Sequence, residues 1–266
     1  MDVRTYPNSR RPGVGPSPRR EASRPLLPQH ARHCPVLEAG SSLGFMVYAP
    51  LEPKESVYVE HKGDGQYSFV YYLLTEGGAR APIFQVTMTL SVGGVGMVKE
   101  DVTFVGTPMI SREAALGVMR VFLVPEDMGT PPGAIALRGA TNFLTPSGWD
   151  TVYTPILNMI ERPLAPMLSV RVETDWYAHE TEFRYVLQAG EGMTLEHSLP
   201  IGQVFFVPRE PITLRPCTGD EVRALEASRR QFSREKAEAV QKTAYGLSYS
   251  PHYLRQSRER QDRTDD

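Results

Sequence analysis

The sequence predicts a mainly antiparallel β protein, a sandwich or barrel, with one C-terminal helix packed across it. Three observations carry that expectation. Short runs rich in valine, isoleucine, tyrosine and phenylalanine recur between turns bearing glycine, proline and aspartate, the composition of strands that pack on a pleated surface. These runs follow one another without the long helical stretches that alternating β and α units need. Only Gly219 to Lys242 carries convincing helical spacing over any length.

Residues 1–33 hold Arg4, Arg10, Arg11, Arg19, Arg20, Arg24 and Arg32 against two acids, with frequent prolines and little apolar spacing. Such a composition buries too little surface to offset the entropy of ordering, so a disordered basic tail is expected. Order begins near Cys34 and a β domain runs to residue 216. Leu43 to Ala49 and Ser56 to Glu60 read as strands around the proline-bearing turn Pro50 to Pro53. Lys62-Gly63-Asp64-Gly65 then turns the chain into Tyr67 to Leu74. Ile83 to Val92 and Val95 to Val105 form a hairpin across Gly93-Gly94, and Ser111 to Arg120 forms a short helix with Ser111 as its N-cap. Val121 to Val124 and Ala134 to Leu137 are short strands on either side of the rigid bend Thr130-Pro131-Pro132-Gly133. Asn142 to Tyr153 is a long loop.

From Leu168 to Pro208 the pattern is strand, turn, strand, turn, strand, built on Leu168 to Val172, Phe183 to Leu187 and Gln203 to Val207. Residues 217–254 supply the helix, capped by Thr218 or Asp220, and a tyrosine-rich segment; residues 255–266 form a second disordered tail.

Composition narrows the function classes. With 41% hydrophobic and 23% charged residues in 266, the chain has the makings of an ordinary soluble protein. A formal net charge of −2 gives no reason to expect nucleic acid or an anionic membrane as partner. Cys34 and Cys217 are far apart and lie outside any zinc-ligand spacing, and no apolar run marks a signal peptide or a membrane span. A cytoplasmic location is therefore expected.

Chemistry concentrates at the corner Glu173-Thr174-Asp175-Trp176. On an extended strand Glu173 and Asp175 share a face while Thr174 points away. Paired carboxylates there supply a general base or hold a hard cation, which makes these two the candidate catalytic residues. Trp176 beside them offers a flat wall for a ring. The structural alternative has Asp175 capping a turn and Trp176 filling the core. His179, Glu180, Glu182 and His197 straddle the following strands, and His179 and His197 are the candidate ligands of a divalent metal in a cupin-like reading.

The series Thr130-Pro131-Pro132-Gly133, Asn142, Val172-Glu173-Thr174-Asp175-Trp176 and Gly202-Gln203-Val204-Phe205-Phe206-Val207-Pro208-Arg209 resembles an uncharacterised bacterial and phage family, the domain of unknown function numbered 6065. Gly44-Phe45 and Ser228-Arg229-Arg230-Gln231-Phe232 also follow its pattern, and the resemblance spans roughly residues 43–245. It implies no activity. The same bend, acidic corner and glycine-led return strand look, more distantly, like the β-clip of trimeric deoxyuridine triphosphatases. That likeness implies a β-clip-like topology and sets Asp175 or Glu173 where that family's aspartate lies beside the sugar and the attacking water. Arg138-Gly139-Ala140 stands where its serine-glycine phosphate motif would be.

The convergence of these motifs outlines a pocket from the bend with Thr130, the loop with Asn142 and Trp149, Trp176 at the corner, and Arg138 for an anionic group. The function expected first is therefore a small-molecule-binding β domain, with an enzyme of specialised metabolism as its catalytic form. A cupin-like metal-dependent enzyme is one alternative. The other is a non-enzymatic interaction protein, forming a homo-oligomer through sheet edges or the C-terminal helix.

Overall fold

The structure is a computed structural model and describes residues 2–21, 34–90, 97–159, 165–242, 246 and 248–262. The chain is mainly antiparallel β and divides into two compact units, Met1–Arg209 and Glu210–Asp266. The first unit ends seven residues before the boundary at 216 that composition suggested.

The largest sheet has five strands in the order β13 (Gly192–Glu196), β3 (Glu55–Gly63), β4 (Gln66–Leu74), β5 (Arg80–Leu90) and β6 (Met97–Phe104). Period-two alternation puts Val57 and Val59, Tyr67 and Phe69, and Phe84, Val86 and Met88 on its buried face. Helix α2 (Arg112–Phe122) lays Ala115, Met119 and Phe122, at i, i+4 and i+7, into the same core. Its N-cap is Ser111, whose side chain accepts the Ala114 N–H at 3.1 Å, as the sequence predicted. Phe122 stacks on Phe69 with ring centroids 6.1 Å apart. Each such side chain contributes roughly 1.5–3 kcal/mol by leaving water.

A four-stranded sheet runs β11 (Val170–Val172), β9 (Trp149–Thr154), β14 (Pro200–Pro208), β2 (Phe45–Tyr48). A three-stranded one runs β10 (Met167–Leu168), β12 (Glu182–Val186), β7 (Ala134–Arg138). Their inward side chains, Val47, Tyr153, Val204, Ile135, Leu137, Phe183 and Tyr185, belong to the core that the five-stranded sheet and α2 share. The segment from 168 to 208 is thus no self-contained ribbon. Of its strands only β10 and β12 pair with each other; β11 and β14 both pair with β9, and β13 pairs with β3. Its apolar runs needed more burial than a lone ribbon offers, and three sheets provide it.

Two further differences from expectation follow from pairing partners far away in sequence. Residues 142–153 are two strands joined by a short turn rather than one long loop: β8 (Thr141–Leu144) and, after 145–148, β9. β8 pairs with β1 (Arg4–Pro7), so the N-terminal segment expected to be disordered contributes a strand, and Arg19 bridges to Met46. Residues 22–33 lie outside the described residues, as does the Gly93-Gly94 turn. Val121 and Phe122 complete α2 instead of starting a strand. A short helix α1 (Pro35–Ser41) follows the bound N-terminal segment.

The second unit holds α3 (Gly219–Glu238), the pair β15 (Gln241–Lys242) and β16 (Ser248–Tyr249), and α4 (His252–Asp262). Thr218 makes a capping box with Glu221, one of the two caps the sequence offered. α3 has no buried residue, and its ring contact is Phe232 on His252 of α4, centroids 4.8 Å apart. The tail expected from residue 255 onward is helical through Asp262.

Candidate functional site

A buried carboxylate, a half-buried guanidinium and an exposed one build the acidic corner. Asp150, on β9, is almost fully buried; Arg209, just past β14, and Arg171, on β11, converge on it from neighbouring strands. Arg209 donates to its carboxylate from Nε at 2.9 Å and Nη2 at 2.6 Å, and Arg171 from Nε at 2.5 Å. Burial alone would push the Asp150 carboxyl up, but the two guanidiniums overcome it and hold the group below the usual aspartate range.

Arg209 Nη2 also donates to Asp175 at 2.6 Å, and the Gly148 N–H donates to the other Asp175 oxygen at 2.9 Å. The Arg209 bond first, then the backbone one, keeps Asp175 below its ordinary pKa. Glu173 lies 3.7 Å from Arg209 and accepts the Trp176 indole N–H at 2.5 Å. Both carboxylates therefore do share a partner, though not by strand alternation. Residues 174–176 form a turn, closed by the Tyr177 N–H donating to the Glu173 carbonyl at 3.1 Å. Thr174 points the opposite way, fully buried, in hydroxyl contact with Thr145 at 2.9 Å and Thr151 at 2.6 Å.

This turn throws its aromatic side chains outward. Trp176 is 70% exposed and Tyr177 50% exposed, so Trp176 does not fill the core. Their ring centroids are 5.8 Å apart, and the half-buried His179 ring stacks on Tyr177 at 5.6 Å. His179 is in turn met edge-on by buried Tyr153 at 5.8 Å, and its carbonyl accepts the Tyr6 hydroxyl at 3.1 Å. Burial lowers the His179 pKa, which favours the neutral ring. The result is a row of three rings, anchored at one end and open at the other, with Glu173 beside the open end.

The remaining expected residues serve other ends. Asn142 is buried and satisfied: its amide donates to the Pro7 carbonyl at 3.1 Å, and its oxygen accepts the Thr181 N–H at 2.7 Å. Arg138 is buried against Glu180 and, at 3.6 Å, Glu182. Thr130 is exposed at a cis Thr130–Pro131 bond. The bend it belongs to is fastened through Gly133, whose N–H donates to Tyr67 at 3.1 Å and whose carbonyl accepts the Leu187 N–H at 2.9 Å. Gly133 has φ +85°, and a Cβ there would lie 2.1 Å from the Leu187 carbonyl oxygen. Trp149 is half-buried and lines an open depression of about 500 Å³ with Asp2, Arg4, Leu144, Thr145 and Pro146.

The two metal candidates have separate surroundings. His179 is enclosed by tyrosines, whereas His197 Nδ1 lies 2.6 Å from the Leu51 carbonyl. No three His, Cys, Asp or Glu side chains among the described residues are grouped to hold a metal ion. Likewise, no described helix is long and apolar enough to cross a membrane.

The sequence pointed to Glu173, Asp175 and Trp176 but not to Asp150, Arg209 or Tyr177 as their partners. Arg209 directly follows the glycine-led strand, a position whose only sequence signal was a cation at a strand end. No family model, curated protein or solved structure matches this chain.

Proposed function

We propose that the Met1–Arg209 unit is a binding domain for a neutral, ring-bearing small molecule of the saccharide class, held on the Trp176–Tyr177–His179 row. The observation that carries this reading is the outward display of Trp176 beside Glu173 on a turn pinned from beneath. An exposed tryptophan on a rigid support offers the apolar face that a sugar ring covers, and Glu173, whose Oε2 takes the indole N–H, has Oε1 to accept hydroxyl protons. Polar anionic ligands suit the place poorly. Both guanidiniums at the corner are engaged, Arg209 on Asp150 and Asp175 and Arg171 on Asp150 and the Pro208 carbonyl, and Glu173 adds an exposed negative charge.

Binding suits the corner better than acid–base chemistry. Asp175 is held ionised by Arg209 and the Gly148 N–H, and so is a poor proton acceptor. Affinity electrophoresis through gels containing xylan, mannan or a soluble cellulose derivative tests the proposal. At least one polymer should retard the protein, and Trp176→Ala should cut the retardation about tenfold with an unchanged melting temperature, since this side chain is exposed. Equal migration of the two proteins in every gel would end the idea.

A further inference from the structure

The Glu210–Asp266 unit contains no buried hydrophobic residue among those described. A helical segment without a core gains little from propensity alone, so most of its stability must come from packing. α3 nevertheless presents Val222 at 42% and Leu225 at 61% exposure. Val222, Leu225, Arg229, Phe232, Lys236 and Ala239 recur at alternating intervals of three and four, the spacing of a coiled-coil seam. Its a positions, in heptad terms, are Val222, Arg229 and Lys236, so the seam is apolar at one end and cationic further on.

The charge along α3 is segregated. From Gly219 to Ala227, Asp220, Glu221 and Glu226 against Arg223 give −2; from Ser228 to Glu238, Arg229, Arg230, Arg234 and Lys236 against Glu235 and Glu238 give +2. Acids in the first turn and bases in the last complement the helix dipole. Arg229 and Arg230 are mid-helix, however, beyond the dipole's reach, and with Arg234 they line an open hollow on the helix surface. A parallel copy would set like half against like. An antiparallel copy sets acidic half against basic half and brings Val222 and Leu225 beside the aliphatic stem of Arg229 and the part of the Phe232 ring that His252 leaves exposed.

We infer that α3 is a self-association element, pairing antiparallel with α3 of a second copy of this chain. The test uses the full chain. Sedimentation velocity over a concentration series should show a reversible dimer, weakened by added salt and weakened at least about tenfold by Leu225→Glu, the equivalent of one buried leucine. Orientation is read from spin labelling and oxidation. Cys217 is exposed and free just before α3, and a 20-residue helix is about 30 Å long. In a Cys34→Ser background, spin labels on the Cys217 residues of the two copies should lie about 30 Å apart by pulsed electron resonance, the length of the helix, and Cys217 should form no disulfide with its counterpart under mild oxidation. A protein monomeric at every concentration, a dimer indifferent to Leu225→Glu, or efficient Cys217–Cys217 cross-linking would each overturn the inference.

Discussion

Glu182 illustrates how a single buried side chain sets a pH response. It lies on β12 facing Arg138, with Asp127 and Arg184 also within reach and themselves paired at 3.1 Å. Burial first, opposed by Arg138 and reinforced by Asp127, pushes its carboxyl up to about 7. A pKa raised in the folded state means that folding favours the protonated form. The stabilising contribution is complete below the ordinary glutamate value of 4.5 and is lost as pH rises through about 7. Asp150 and Asp175 have the opposite sign: their contribution is present above the usual aspartate range and vanishes as pH falls through their depressed values. Glu182→Gln should therefore gain on the wild type as pH climbs from about 5 to 8, by on the order of 2 kcal/mol at the upper end. Urea unfolding at a series of pH values measures it, and a constant difference between the two proteins would contradict the assignment.

Among elements, β1 shows what sequence patterns hide. Its segment looked disordered because it has little to bury, and it is in fact held by polar groups. The Asn8 amide donates to the Gly139 carbonyl at 2.9 Å, and its oxygen accepts the Arg10 N–H at 2.8 Å. Arg11 makes a forked pair with buried Glu55 at 2.5 and 2.8 Å, and the Tyr71 hydroxyl donates to the same carboxylate. Hydrophobic periodicity has no way to register such polar anchors, and the Gly139 and Glu55 partners lie 131 and 44 residues away. Deleting residues 2–11 should cost about 2 kcal/mol or more, because Glu55 is left buried without its cation and β8 loses its one strand neighbour among the described residues. The expected companion is light scattering from association through the bare β8 edge. Strands with strong local signals, such as β3, β4, β5 and β14, were legible to within a few residues. β9 and β13 were not, because their pairing is decided by β14, β11 and β3 rather than by their own composition.

For the molecule as a whole, the asymmetry between the two units is the dominant fact. Every buried hydrophobic side chain among the described residues precedes Arg209, the latest being Val204. A chain ending at Arg209 should accordingly fold by itself, with a single cooperative thermal transition and a full near-ultraviolet signal from its packed tyrosines. A broad, non-cooperative melt would show that the later residues are needed. The antiparallel β class and the late helix were evident from composition and periodicity. The idea of that helix packing on the sheet came from its apolar stripe. The acidic corner was found through its carboxylates. Its purpose as a support for displayed rings depends on Asp150 and Arg209, which meet only when β9, β11 and β14 align.

Arg209 stands where the chain leaves the β unit, gripped by Asp150 and Asp175. Any tension arriving along the following segment thus meets a charged latch before it can peel β14 from its neighbours. Because both carboxylates are shielded from water, electrolyte reaches that latch weakly; strong acid, by neutralising them, should be what first slackens that exit and, with it, the turn displaying Trp176.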